Sequence, residues 1–128
     1  MITREEKIVK VGKYAVRIKG DNFNLAQNIK EADRYQGHDL TCFVWVKTNV
    51  PNKYRIQLYD GFSSSVSDRH TGSDEWELLN TNIKVSRRAQ IISVRLIQAE
   101  KTGKLDDVVF IDGAIVIDRP PLSVPPVK

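Results

Sequence analysis

The side chains best suited to recognition chemistry fall in two alternating runs, HDLTCFVWVKT from His38 and KYRIQLY from Lys53, joined by NVPN. The first run carries Trp45; the second carries Arg55, Gln57 and Tyr59. A flat aromatic ring can pack against the C–H-rich face of a pyranose. A guanidinium or carboxamide can hold neighbouring hydroxyls through paired, coplanar hydrogen bonds. Arg95, with Ser93, would extend the same set if its strand shares their sheet. The competing reading is that another strand covers Phe43 and Trp45, leaving Arg55 and Gln57 as an ordinary rim.

Asp112 is the other candidate, because it precedes Gly113 inside the apolar run VVFIDGAIVI. A carboxylate in such surroundings needs a cation or several N–H donors, and both remain open. Trp76 opens a later run and suits either a core plug or a platform. No nucleophile elbow, phosphate-binding loop, zinc spacing or dinucleotide-type glycine turn is present. No pair of carboxylates stands out for glycoside hydrolysis. His38 and His70 are isolated from any Ser or Cys partner in the pattern. The chain is therefore read as a non-enzyme.

These groups need strands to position them. Successive side chains of a strand point to opposite faces, so one face should be apolar. Cys42, Val44 and Val46 alternate with Phe43, Trp45 and Lys47, and Tyr54, Ile56 and Leu58 alternate with Arg55, Gln57 and Tyr59. Read as a hairpin, the two runs put Trp45 beside Arg55, Gln57 and Tyr59 on one face. Tyr14–Lys19, Leu25–Ile29, Trp76–Val85, Gln90–Gln98 and Val108–Ile117 supply further strands, with at most one helical turn in EADRYQG. Seven or eight strands with frequent turn signals give an all-β fold, an antiparallel β-sandwich. Its core is expected to hold Cys42, Val44, Val46, Ile56, Leu58, Ile92, Val94 and Leu96. Residues 1–118 form this domain. Residues 119–128 hold four of the five prolines and form an extended tail.

Composition narrows the partners. The net charge of +4 suits an anion, but the basic residues are interleaved with acids and lack the aromatic-plus-basic pattern of nucleic-acid binders. No run of about 18 apolar residues is present, so membrane insertion is not expected. The N-terminal stretch has no signal-peptide pattern. The single Cys42 has no intrachain disulfide partner and reads as a buried thiol.

In order along the chain, Gly12-Lys13, Gln27, Trp45-Val46-Lys47, Trp76 and Phe110-Ile111-Asp112-Gly113 form a series. The series resembles the jelly-roll carbohydrate-binding modules of bacterial glycan-degrading enzymes and their relatives in phage tail and virion proteins. The resemblance spans about Val11 to Val116 and implies a jelly-roll, a glycan or polysaccharide partner, and a structural calcium with Asp112 among its ligands. Such modules usually begin with a further strand whose Asn-x-x-Phe-Glu segment helps hold that calcium; here the chain starts after that point. Two functions follow from it. One is a non-catalytic glycan-binding module using Trp45, Arg55, Gln57, Tyr59 and Arg95. The other is a virion protein whose jelly-roll assembles with copies of itself or neighbouring subunits. Either implies an extracellular or virion-associated setting.

Overall fold

The computed structural model describes residues 2–5, 15–20, 25–100, 104 and 106–118. The expected tail, Tyr14 and the Gly12-Lys13 pair lie outside them. Nine strands follow in order: β1 (Ile2–Glu5), β2 (Ala15–Lys19), β3 (Leu25–Asn28), β4 (Asp39–Thr48), β5 (Tyr54–Tyr59), β6 (Ser64–Val66), β7 (Trp76–Lys84), β8 (Ser93–Gln98) and β9 (Val108–Ile117). A single 3₁₀ turn, Ala32–Tyr35, occupies the EADRYQG connector. The strands form a five-stranded sheet ordered β1-β2-β9-β4-β7 and a four-stranded sheet ordered β3-β8-β5-β6. Every pairing is antiparallel. The fold is an all-β jelly-roll sandwich.

One expectation is corrected. β4 and β5 do not form a hairpin: β4 pairs with β7 and β9, while β5 pairs with β6 and β8. The connector 49–53 carries the chain from one sheet to the other. Each strand has one apolar row, and that row is satisfied equally by strands lying side by side or face to face. The period-two pattern therefore locates the strands without assigning their sheet.

The apolar rows meet between the sheets. Leu40, Cys42, Val44 and Val46 of β4 are buried, as are Tyr54, Ile56 and Leu58 of β5, Leu79 and Ile83 of β7, and Ile92 and Leu96 around β8. Val94 is partly buried and packs on this core, so every residue expected there belongs to it, and Ile18, Ala32, Val85, Ala89 and Val109 join them and the others named. Burial pushes the Cys42 thiol up to about 12, which leaves it protonated and inert.

The sheet-changing connector is clamped by His70, which is wholly buried. Gly72 N–H donates to its Nδ1 (2.9 Å), so the ring proton lies on Nε2. Nε2–H reaches the carbonyls of Val46 (3.0 Å) and Glu75 (3.1 Å). The backbone of His70 also pairs with Asn52 in the connector and with Tyr54 just beyond it. Gly72 closes against this knot at φ +82°, and a Cβ there would meet the Pro51 backbone nitrogen at 2.5 Å. A second knot surrounds Asp60, whose carboxylate accepts N–H bonds from Phe62 (2.8 Å), Ser63 (2.7 Å) and Ser86 (2.8 Å). Burial alone would raise the Asp60 carboxyl, but these N–H donors and the Ser63 hydroxyl outweigh it and hold it below its ordinary value.

Two outcomes follow. Replacing His70 with Ala strands two carbonyls and one N–H, and should cost about 2–4 kcal/mol in a denaturant melt. Because the Asp60 carboxyl is depressed in the folded state, its contribution is complete above its unfolded value and fades as pH falls through the folded one. Stability should therefore drop below about pH 4, and Asp60→Asn should be weaker at neutral pH with a flatter acid limb.

Candidate functional site

The outward rows of β5 and β8 lie side by side. Tyr59 stands opposite Ser93, Gln57 opposite Arg95, and Arg55 opposite Ile97. The alternation that sends Tyr54, Ile56 and Leu58 into the core turns Arg55, Gln57 and Tyr59 outward. The flanking strands place small groups beside them: Ala26 of β3 is opposite Arg95, and Ser64 of β6 is opposite Tyr59. On the β6 side, exposed Val66 stands opposite Gln57, so the border is short at Ala26 and Ser64 and apolar at Val66.

Arg95 lies over the Tyr59 ring, with its guanidinium carbon 4.4 Å from the ring centre. Its Nε donates to Ser93 Oγ at 3.3 Å. The cation–π stack and this bond restrain the guanidinium over the ring. Gln57 sits beside them in register. The condition set for Arg95, that its strand share a sheet with β5, is met. The arrangement brings together a ring, two guanidinia and a carboxamide.

Trp45 is not part of it. It lies on β4, in the other sheet, on the opposite outer surface of the sandwich. There it stands opposite Leu78 and Asp112, with Phe43 and Lys47 in the same row. The expected single face of Trp45 with Arg55, Gln57 and Tyr59 fails with the hairpin that implied it. Trp76 is on the same outer row as Trp45, opposite Lys47, and is half-buried rather than a plug between the sheets.

Asp112 sits at a β-bulge. Phe43 pairs with Ile115 and Trp45 with Asp112, so β9 carries one residue more than β4 over this step. Gly113 takes up the extra residue at φ +60°, a conformation glycine adopts without strain. Among the described residues no group of three or more His, Cys, Asp or Glu gathers to hold a metal.

Sequence reading missed Phe62, just past the Tyr59 end of β5. Its ring is 59% exposed, and Arg88 lies over it at 5.6 Å. Ile91, 41% exposed, continues the outward row of β8 beyond Ser93. The available signal was an aromatic placed directly after Asp60-Gly61, where a turn should carry small polar groups.

Two clefts lie on the described surface. One, of about 440 Å³, opens between the sheets and is lined largely by Val16, Leu25, Val44, Ile56, Val94 and Ile111. Its lining is mostly apolar, but Gln27, Arg95 and Asp112 also border it. The other, of about 420 Å³, runs along β7 past Asp68, Arg69, Thr71, Glu77, Asn80 and Asn82. Burial raises the Glu77 carboxyl, but hydrogen bonds from Thr71 and Ser73 bring it below its ordinary value. Glu77 is thus committed to fastening its own loop.

No family model matches the sequence, and no curated protein is significantly similar to it. Solved structures are similar. The CBM22-1 and GH10 modules of Clostridium thermocellum endo-1,4-β-D-xylanase 10B, complexed with xylohexaose, match with a TM-score of 0.68 at 15% identity. That match covers 94% of this chain and 25% of the xylanase chain, so the chain spans about a quarter of that protein's length. A family 16 carbohydrate-binding module matches at 0.65 and 11% identity, over 91% of this chain and 85% of that one. A CBM61 in complex with β-1,4-galactotriose matches at 0.57 and 20% identity, over 93% and 88%. The fold is that of the carbohydrate-binding modules.

The calcium expectation has a direct check. If Asp112 serves the bulge rather than a cation, the melting temperature should be the same in excess chelator as in added calcium. A fall with chelator that calcium reverses would instead give Asp112 a metal.

Proposed function

We propose that the chain is a non-catalytic glycan-binding module. It binds through the outward face of the four-stranded sheet, with Tyr59 as the stacking ring and Arg95, Gln57 and Arg55 holding hydroxyls. The observation that carries this reading is the Arg95–Tyr59 stack at 4.4 Å, in register with Gln57 and bordered by Ala26 and Ser64. A ring and paired planar donors are thereby fixed before a ligand arrives, with room for one to lie along β5. The glycan-binding modules of the same fold support the class of partner. The virion alternative has no such support. A glycan partner places the module outside the cell, where polysaccharide is met.

Binding supplied by this face fails when its ring or its fork is removed. Tyr59→Ala and Arg95→Ala should each weaken binding of the best ligand on a glycan array by about tenfold or more, roughly 1.4 kcal/mol or above, with the fold intact by circular dichroism. Trp45→Ala, on the opposite surface, should leave that binding unchanged. Loss of binding in Trp45→Ala alone would move the site to the other sheet. Absence of any glycan ligand, with an oligomer in solution sizing, would favour assembly instead.

A further inference from the structure

Resting on that reading, we propose that the glycan is anionic, a polysaccharide whose sugars carry carboxylate or sulfate groups. The argument begins with charge. Arg55 and Arg95 occupy outward positions on neighbouring strands, one register step apart, since Arg95 is opposite Gln57 and Arg55 is opposite Ile97. Side chains placed diagonally in this way are about 7–8 Å apart at the backbone, well within reach of each other's fields. Two guanidinia held so close repel unless something neutralises them.

Nothing in the described residues does so. The outward positions of β3, β5, β6 and β8 hold no Asp or Glu. Asp68, just past β6, is exposed and forms no ion pair with either arginine among the described residues; the acid that follows β8, Glu100, is engaged with Arg69 at 2.9 Å. Among the described residues, Arg95 meets the Tyr59 ring and the Ser93 hydroxyl. Arg55 is half-buried, and its Nε–H is shielded from water with no hydrogen-bond partner. Leaving such a donor unmet is costly, and the cost is larger for a charged group.

A neutral sugar would not relieve this arrangement. Hydroxyls can accept from a guanidinium, yet they leave both positive charges uncompensated as water is driven off the face. A carboxylate or sulfate meets the planar N–H fork with two acceptor oxygens and cancels the charge at the same contact. Two arginines one register step apart suit a chain with repeated anionic groups better than a single terminal one. Tyr59, beneath Arg95, provides the ring for the sugar body, and exposed Phe62 with Arg88 over it continues basic and aromatic character past the end of β5.

The test is titration calorimetry of the whole chain with galacturonate oligomers, sulfated galactan oligomers, and neutral galactan and xylan oligomers of equal length. An anionic oligomer should bind about tenfold or more tightly than its neutral counterpart. That margin should shrink as salt rises from about 50 mM to about 500 mM. Arg55→Gln should bring the ratio of anionic to neutral affinity down to near one, even as both ligands weaken with the loss of its hydrogen bonds, and Arg55→Lys should recover part of the margin. The galacturonate and sulfated arms separate carboxylate from sulfate as the source of the charge. If neutral oligomers bind as well as anionic ones, lose binding in Tyr59→Ala, and keep the same ratio to anionic ones in Arg55→Gln, the anionic proposal falls and the glycan site stands. If no oligomer binds at all, the glycan reading itself falls.

Discussion

His70 holds the place where the chain changes sheets, and the recognition face depends on that change. Its Nε2–H joins the end of β4 to the loop before β7, while its own backbone pairs with Tyr54 at the start of β5. Were β5 to fold back beside β4, its outward row would fall in line with Phe43 and Trp45. With the connector clamped across the sandwich, that row instead lies against β8. Arg95 can then reach Tyr59. A buried, satisfied imidazole thus decides which surface residues meet, although it touches none of them.

The strands themselves were legible because alternation is a local property. The burial rows of β4 and β5, the helical turn at Ala32–Tyr35 and the break at Asp112-Gly113 all follow from neighbours a few residues away. Sheet membership is not local. Tyr54, Ile56 and Leu58 demand a core opposite them, and Cys42, Val44 and Val46 supply one only if β4 and β5 lie on different layers. Neither run states this alone. The information sits in residues that read as bland loop: Pro51, His70 and Gly72, which fit together only in three dimensions. Arg95 could accordingly be placed beside Gln57 only on a condition, and Trp45 was placed with the wrong companions for the same reason.

The treatment of charge elsewhere in the domain gives the face its meaning. Lys53 has a fully buried side chain, and its ammonium meets Asp107 at 2.8 Å near the Tyr54 ring. Such a pair adds little net stability against an apolar substitute, but losing one partner leaves a stranded charge. Asp60 is likewise buried and is met by three backbone N–H groups. Lys47, near the surface, is fastened to Asp74. Where this chain shields a charge, it supplies the partner.

Arg55 and Arg95 depart from that habit together, on one face and on adjoining strands. For Arg95 the compensation is partial: the electron-rich face of Tyr59 attracts the cation but does not neutralise it. The stack also limits its rotamers, so less freedom is lost when a ligand arrives. Arg55 is restrained by burial of its stem, with an N–H left unmet. Restrained cations without counter-charges cost the free domain stability through repulsion and desolvation. A bound anion recovers that cost, so the same geometry that disfavours the empty face favours the occupied one. Neutral binding recovers only the hydrogen bonds. The difference between those two gains is the physical basis of selectivity on this sheet.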